Sequence, residues 1–411
     1  MRVLYISDDP RSATGYGRIS HDICKYLRDT NHQVVVMGGI NQPAPFAETP
    51  WEGITIWPVQ GYGNLEQLRF LLRKEKSDAV LINADPRFFV ENAFKIDNEI
   101  RRICPLVFYH LWDGDPFPEF NVPLYQCCDG IIASTKFTHN MLLNKAEQFG
   151  LPPIYYSPIG FDLSLYKPHA LEDKVKFRKD FFKAVTGNKV YDENKVDFII
   201  GFIGRFANRK RVPDIMHAFA KFAEGKDDVL LILHSTLQDE AGNLLYLQQK
   251  LFPSLPIIIS AMGNQPNELI NHLYNLFDVS VNLSNAEGFG MPLAESMAAG
   301  TPVITSKNAG PSGFVNEDNG WLLEPDVVTM VGSGITPYIY DNLVSIDSLV
   351  NTLEIAYKDR GLLRRKAQNC RPTIMREHNV IDMTRNIEKA LLETIANFQQ
   401  YPNYTLTTFG A

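Results

Sequence analysis

Two glutamates, Glu287 and Glu295, bracket the stretch Asn285-Ala286-Glu287-Gly288-Phe289-Gly290-Met291-Pro292-Leu293-Ala294-Glu295. The preceding run, Val279-Ser280-Val281-Asn282-Leu283, alternates like a strand ending at a sheet edge. Gly288 and Gly290 lack a Cβ, so the backbone there can approach a ligand closely. Pro292 suits the first turn of a helix, where its missing N–H costs nothing. Ala294, Met297, Ala298 and Ala299 continue that helix and Gly300 can end it. Unpaired N–H groups of a helix start beside a glycine loop suit a phosphate or another anion. Glu295, one turn into the helix, leans back toward that end and can accept hydrogen bonds from the vicinal hydroxyls of a ribose. Glu287, on the loop, faces whatever the phosphate carries. The same letters also describe an ordinary strand–turn–helix with two surface glutamates.

A second cluster is cationic. Phe198-Ile199-Ile200-Gly201-Phe202-Ile203-Gly204 reads as a strand, followed by Arg205, by Arg209-Lys210-Arg211, and by a helix carrying Ile215, Met216, Phe219 and Phe222. Cations between a strand and a helix start suit a diphosphate, although a solvated basic turn has the same composition. Near the N-terminus, Val3-Leu4-Tyr5-Ile6 predicts a buried strand, Ser7 to Tyr16 a loop, and Ile19, Ile23 and Leu27 a helix face. Thr14-Gly15-Tyr16-Gly17-Arg18 in that loop suggests phosphate or sugar contact. A dinucleotide site is the rival reading. Against it stand Ser20 in place of a third glycine, the loop's length, and a second strand, Val34 to Met37, that ends in Gly38-Gly39 without a ribose acid. His110 and Asp113 follow the strand Leu106-Val107-Phe108-Tyr109, at the end where open α/β sheets bind ligands; the alternative is a histidine packed under Trp112.

The elements that must position these residues alternate strand and helix along the chain. Ile54 to Trp57, Ala79 to Ile82, Gly130 to Ser134, Val229 to Leu233 and Ile257 to Ile259 read as further strands. Leu65, Leu68 and Leu72 mark a helix, and Lys136 to Gln148 another. The proline-marked stretch from Pro152 to Pro168 separates two α/β halves. The basic segment Lys174 to Lys183 reads as a solvated linker helix, with a membrane-surface or partner helix as the alternative. Val327 to Tyr340 is poor in helix signal and reads as an insertion, before helical patterns from Ile346 to Asp359 and Asn379 to Phe398.

At 411 residues, 45% hydrophobic and 21% charged, the chain has room for two ordinary domains with good cores. A net charge of -7 argues against a surface built as a whole for nucleic acid or anionic lipid. The N-terminus enters a strand at once, which predicts no signal peptide, and no apolar run approaches a membrane span. The five cysteines, Cys24, Cys104, Cys127, Cys128 and Cys370, fit neither a zinc site nor a disulfide framework, so a reducing, cytoplasmic setting is expected.

These motifs carry a resemblance. E-G-F-G-M-P-L-A-E followed by A-A-G-T-P-V-I is similar to the signature of the retaining GT-B glycosyltransferases of family 4, the glycosyl transferases group 1. G-R-F-A-N-R-K-R resembles the family's G-R-x-x-x-x-K-G, with Arg211 where the family has glycine. Gly160-Phe161-Asp162 to Tyr166-Lys167-Pro168 resembles its crossover, and Gly15-Tyr16-Gly17 its glycine loop over the donor. The resemblance implies an α/β GT-B fold, two Rossmann-like domains facing each other across a cleft. Residues 1–165 would form the acceptor domain, joined by a last helix at about 385–411, and residues 166–384 the nucleotide-sugar domain. It implies retaining transfer from a UDP- or GDP-sugar to an acceptor hydroxyl on a glycan, lipid-linked sugar, small molecule or modified nucleic acid. Arg205 and Lys210 would hold the diphosphate, Glu287 and the Gly288-Phe289-Gly290-Met291 loop the sugar, Glu295 the ribose, Gly263 and Asn264 the base. His110 would contact the sugar, with Asp113 beside it. No cluster of metal ligands stands out in the sequence, so no essential metal or other cofactor is expected. An epimerase or hydrolase with the same donor site, a non-catalytic sugar-nucleotide binder, and an NAD-dependent oxidoreductase are the alternatives.

Overall fold

The computed structural model describes residues 1–40, 45–185, 191–263, 265–334 and 336–399. The chain forms two compact units. Unit 1 comprises Met1–Phe161, Val331–Ile339 and the chain from His378; unit 2 comprises Asp162–Met330 and Tyr340–Glu377. The sequence divides the halves after residue 165 and starts the returning helix near 385; the units themselves change over at Phe161 and at His378.

Unit 1 runs β1 (Arg2–Asp8), α1 (Gly15–Asp29), β2 (Gln33–Ile40), β3 (Thr49–Trp51), β4 (Ile54–Gln60), α2 (Leu65–Glu75), β5 (Ala79–Asn83), α3 (Ala93–Ile100), β6 (Leu106–His110), α4 (Val122–Gln126), β7 (Gly130–Ala133), α5 (Lys136–Leu143), α6 (Ala146–Phe149) and β8 (Ile154–Tyr156). Its sheet has the order β3-β4-β2-β1-β5-β6-β7-β8, parallel except for the edge strand β3. Unit 2 follows with α7 (Leu171–Ala184), β9 (Phe198–Gly204), α8 (Val212–Phe222), β10 (Val229–Ser235), the short hairpin β11 (Gln238–Asp239) and β12 (Gly242–Asn243), α9 (Leu244–Leu251), β13 (Ile257–Ala261), α10 (Asn267–Leu276), β14 (Val279–Asn282), α11 (Met291–Ala298), β15 (Val303–Ser306) and β16 (Gly320–Leu323). The hairpin β17 (Val327–Ser333) and β18 (Thr336–Leu343) precedes α12 (Ile346–Lys358), α13 (Arg360–Glu377) and the returning α14 (Val380–Asn397). The parallel sheet of unit 2 has the order β13-β10-β9-β14-β15-β16.

Near-continuous apolar strands are what a parallel sheet covered on both faces requires. Every residue of β5, β6, β9, β10, β14 and β15 is buried. Strand order then decides where ligands can sit. In unit 1 the chain passes from β1 outward to β2 and then resumes on the other side at β5. In unit 2 it passes from β9 to β10 and β13 and resumes at β14. The crevice outside the carboxyl ends of the strands at such a reversal is where open α/β sheets hold ligands.

Several expectations change. β14 is interior, between β9 and β15, and all of it is buried, so it is not an edge strand. The helix over Lys136 to Gln148 is broken at Asn144 and Lys145 into α5 and α6. Gly15 to Gly17 form the first turn of α1 and not a loop, because Thr14 caps the helix and its side chain accepts the Gly17 N–H. The insertion Val327 to Tyr340 is a β-hairpin. Within unit 1, Tyr338 packs edge-on to Phe120 at 5.3 Å, and Arg87 Nη1 donates to Thr336 Oγ1 at 2.8 Å. Residues 400–411, part of the expected last helix, lie outside the described residues.

Gly201 lets β9 pass under Phe277: a Cβ there would stand 2.0 Å from the ring. Gly201→Ala should cost about 1–3 kcal/mol in urea unfolding, as overpacking does. Phe277→Ala in the same chain should recover part of that loss. A double variant no more stable than the sum of the two single changes would show that the contact is not the cause.

Candidate functional site

The loop between β9 and α8 and the loop between β14 and α11 meet at the strand-order reversal of unit 2. They are stitched together. Asn285 N donates to Arg209 O at 2.9 Å, and Arg209 Nη1 donates to Ala286 O at 3.0 Å. At the centre, Lys210 Nζ donates to Glu287 Oε2, and both side chains are about nine-tenths buried. Arg209 Nη1, at 3.3 Å, and Ser284 Oγ, at 3.3 Å, donate to the same oxygen. Burial alone would raise the Glu287 pKa, but Lys210 and Arg209 overcome it and hold the carboxyl at about 2. Burial pulls the Lys210 pKa down and Glu287 opposes that pull.

The backbone around this pair is set by residues in the left-handed region. Gly290 caps α11 with φ +89°, and no side chain caps that helix start. Arg211, where the resembled family has glycine, takes φ +52° at the start of α8. Its guanidinium compensates: Nε donates to Asp214 Oδ2 at 2.7 Å and Nη1 to Val344 O at 2.9 Å. The close approach predicted for Gly288 is made within the chain. A Cβ on Gly310 would lie 2.2 Å from Gly288 O, and Gly310 N donates to Glu287 O at 2.9 Å. Phe289 is buried against Phe314, 5.3 Å between centroids, so the motif's aromatic is core. Met291 opens α11.

Arg205 is 60% exposed and is not part of the buried pair. Its Nε and Nη2 grip Asp239 at 3.0 and 2.6 Å, and Nη2 reaches Glu240 at 3.2 Å. Thr236 Oγ1 donates to the same Asp239 carboxylate at 2.9 Å. Arg205 above all holds the Asp239 pKa well below the usual carboxylate range. Glu295, buried at 3% exposure, accepts the Tyr274 hydroxyl at 2.9 Å. Gly263 follows β13 with open space at its Cα; Asn264 lies outside the described residues. The structure thus joins Lys210 to Glu287, which the sequence assigns to different parts of a ligand. It also brings in Arg209 of the cationic cluster, and adds Ser284 from the loop after β14 and Asp239 from β11, which the sequence did not single out.

In unit 1, Tyr16 is half-buried, and the carboxylates of Asp85, Asp113 and Asp8 lie close enough to raise its pKa further after burial has done so. Arg87 is tied to Asp85, with Nε at 2.7 Å from Oδ1. The first turn of α1 thus lies near three carboxylates and one guanidinium. His110 ends β6 fully buried. Its Nε2 meets the Tyr125 hydroxyl at 2.9 Å, and its Nδ1 has no hydrogen-bond partner. Burial pulls its pKa down to about 3. The ring is therefore neutral near pH 7 and shielded from solvent.

Each unit is a Rossmann-like α/β layer structure, and the chain has the GT-B fold of glycosyltransferases. It superposes on sucrose-phosphate synthase from Thermosynechococcus elongatus with a TM-score of 0.73 and 16% identity, covering 96% of this chain and 99% of that one. It superposes on Anabaena HepE, solved in complex with UDP and glucose, with a TM-score of 0.68 and 20% identity over 95% and 99% of the two chains. Residues 187–369 match the family model Glycosyl transferases group 1. N-acetyl-alpha-D-glucosaminyl L-malate synthase of Bacillus anthracis is 30% identical over 38% of this chain and 38% of its own length. GDP-mannose-dependent alpha-mannosyltransferase of Corynebacterium glutamicum is 25% identical over 45% of this chain and 39% of its own. The matched segments span about two fifths of these curated relatives. Among the described residues, no helix is long and apolar enough to cross a membrane.

Glu287→Gln leaves the Lys210 ammonium buried without a counter-charge, which should cost about 3–5 kcal/mol of stability near neutral pH. The Glu287 pKa is depressed from 4.5 to about 2, so its contribution is complete above 4.5 and is lost as pH falls toward 2. Denaturant melts of wild type and Glu287→Gln should therefore converge across that window. A constant gap from neutral pH to pH 2 would contradict the ionised pair.

Proposed function

We propose that the chain transfers a sugar from a nucleoside diphosphate sugar to an acceptor hydroxyl, with retention of anomeric configuration. The observation that carries this reading is the buried Lys210–Glu287 pair at the strand-order reversal of unit 2, next in sequence to the uncapped start of α11. A helix N-terminus and fixed cations favour an anion, and they favour it more as charge grows on a leaving diphosphate. Lys210 has three N–H donors and uses one on Glu287, so it can hold a phosphate oxygen and the carboxylate together. Arg205 presents its remaining donors from the loop surface while Asp239 fixes its orientation. Glu287 and the Gly288–Met291 loop meet the sugar, Glu295 takes the ribose hydroxyls, and the chain after β13 at Gly263 receives the base. In unit 1, Gly15, Tyr16 and Gly17 with His110 and Asp113 serve the sugar and acceptor.

The UDP and glucose held by the Anabaena neighbour and the GDP-mannose dependence of the Corynebacterium relative support a uridine or guanosine diphosphate sugar as donor. In a retaining transfer the acceptor attacks on the face from which the nucleotide leaves. Arg205 and Lys210 do at the diphosphate what a divalent cation does in other enzymes, so no metal is needed.

The test is a panel of UDP- and GDP-sugars incubated with the full chain, with and without alcohol and sugar acceptors, following nucleotide release and product anomer. Acceptor-dependent release with a retained anomer is expected. Release at the same rate without acceptor, or none with any donor, contradicts the proposal. Activity should survive EDTA; loss that magnesium or manganese restores would refute the metal-free diphosphate site. Arg205→Ala should lower kcat by about 10²–10³, as losing one preorganised donor does. Glu295→Ala should weaken UDP or GDP by about 1.5–3 kcal/mol in calorimetry, as losing a charged hydrogen-bond partner does.

A further inference from the structure

The two glutamates that bracket the start of α11 are held in different ways. Glu287 sits against the cations Lys210 and Arg209. Glu295 is met by a phenol of the neighbouring helix: the Tyr274 hydroxyl, from α10, donates to Glu295 Oε2 at 2.9 Å. Both side chains are buried, Tyr274 at 1% exposure and Glu295 at 3%. Burying a hydroxyl costs free energy unless it is bonded, and a phenylalanine would fill the same space without that cost. The hydroxyl therefore calls for a role beyond filling the core. A carboxylate can accept about four hydrogen bonds, so one donor from the protein leaves capacity for two ribose hydroxyls. What that one donor fixes is orientation. The last torsion of a glutamate is broad, so a carboxylate without a fixed donor turns, whereas a cis-diol needs it at one angle.

Tyr274 is itself held. Its ring lies edge-on to Tyr166 at 6.1 Å and to Phe277 at 6.4 Å. Its carbonyl accepts Thr301 Oγ1 at 2.6 Å, from the chain just after α11. Asn271 and Asn275 share its face of α10. Asn271 Oδ1 accepts Lys167 N at 3.0 Å, and Asn275 Oδ1 accepts His169 N at 2.8 Å. These bonds resist rotation of α10, and with it any swing of the phenol away from Glu295.

We infer that Tyr274 is a positioning residue for the donor. Its hydroxyl sets the Glu295 carboxylate at the angle that takes both ribose hydroxyls, and so makes the site selective for a ribonucleoside diphosphate over its deoxy forms. Tyr274 acts through Glu295 and not on the ligand. The inference deepens the transfer reading and rests on its assignment of the ribose to Glu295.

The experiment is calorimetry on the full chain with UDP and GDP, each compared with its 2′,3′-dideoxy analogue. Wild type should prefer the ribose form. Tyr274→Phe, which keeps the ring, should weaken the ribose form about tenfold, as losing a bond to a charged group does, and leave the dideoxy form nearly unchanged. The preference itself should therefore shrink by about tenfold. It is a ratio read on one preparation, so a smaller folded fraction does not move it. In a Glu295→Ala background the same Tyr274→Phe change should have no further effect on either form, because the hydroxyl has lost the group it acts through. Equal weakening of both forms by Tyr274→Phe would show a merely structural tyrosine and overturn the inference. So would an unchanged preference, or a further loss of preference in the Glu295→Ala background. The failures are distinguishable. If Glu295→Ala abolishes the ribose preference and Tyr274→Phe leaves it intact, only the role of Tyr274 falls. If wild type binds both forms equally, or binds neither nucleotide, the donor-site assignment falls and the inference with it.

Discussion

A lysine and a glutamate, both about nine-tenths buried, constrain unit 2 more than any other contact at its proposed site. Moving one charge out of water costs several kcal/mol, and only a partner at contact distance offsets it. Lys210 and Glu287 come from loops after two different strands, so each loop must hold its position for the other's charge to be met. The surrounding bonds do this: Asn285 to Arg209, Arg209 to Ala286, Gly310 to Glu287. Gly290 and Arg211 take left-handed backbone angles where these two loops enter α11 and α8. A group held this way undergoes little reorganisation when a ligand arrives, which is how fixed charges stabilise a transition state.

The two sheets solve the same topological problem with opposite chemistry. Each reverses its strand order beside its first strand and leaves a crevice at the carboxyl ends. In unit 2 that crevice carries Lys210, Arg209 and Arg205 with their carboxylate partners, and it suits a charged ligand. In unit 1 the sheet face there carries Ile6, Met37 and Ile82, and the charged groups near Tyr16 are Asp8, Asp85 and Asp113 with Arg87 paired to Asp85. Fold alone predicts where a ligand goes; the side chains decide which ligand.

The elements with strong apolar periodicity were legible because burial on both faces leaves few choices. β9, β10 and β14 fall where their Val, Ile, Leu and Phe runs predict. α13 lies where the apolar pattern is thin, and it contains Pro372 within its span; Leu363, Cys370 and Ile374 pack one face and hold it. Gly15 and Gly17 suggest a loop by composition, yet a threonine cap outweighs glycine's cost in a first turn, and Gly17 is needed because a Cβ there would meet Ser12 Oγ at 2.2 Å. For the site, residue types and loops were readable and pairings were not. Nothing in the spacing of Arg205, Lys210, Asp239 and Glu287 shows that Arg205 meets Asp239 while Lys210 meets Glu287, because those contacts depend on strand order. The burial of His110 was one of two readings of its position, since a strand's last residue can face solvent or core, and the structure takes the packed one.

A crystal structure of the full chain with a non-hydrolysable UDP- or GDP-sugar tests the central claim most directly. The account predicts the diphosphate at the start of α11 within hydrogen-bond distance of Lys210 and Arg205, the ribose hydroxyls on Glu295, and Lys210 still touching Glu287. Nucleotide bound elsewhere on the chain, or at this site with Lys210 and Glu287 separated and facing solvent, would contradict it.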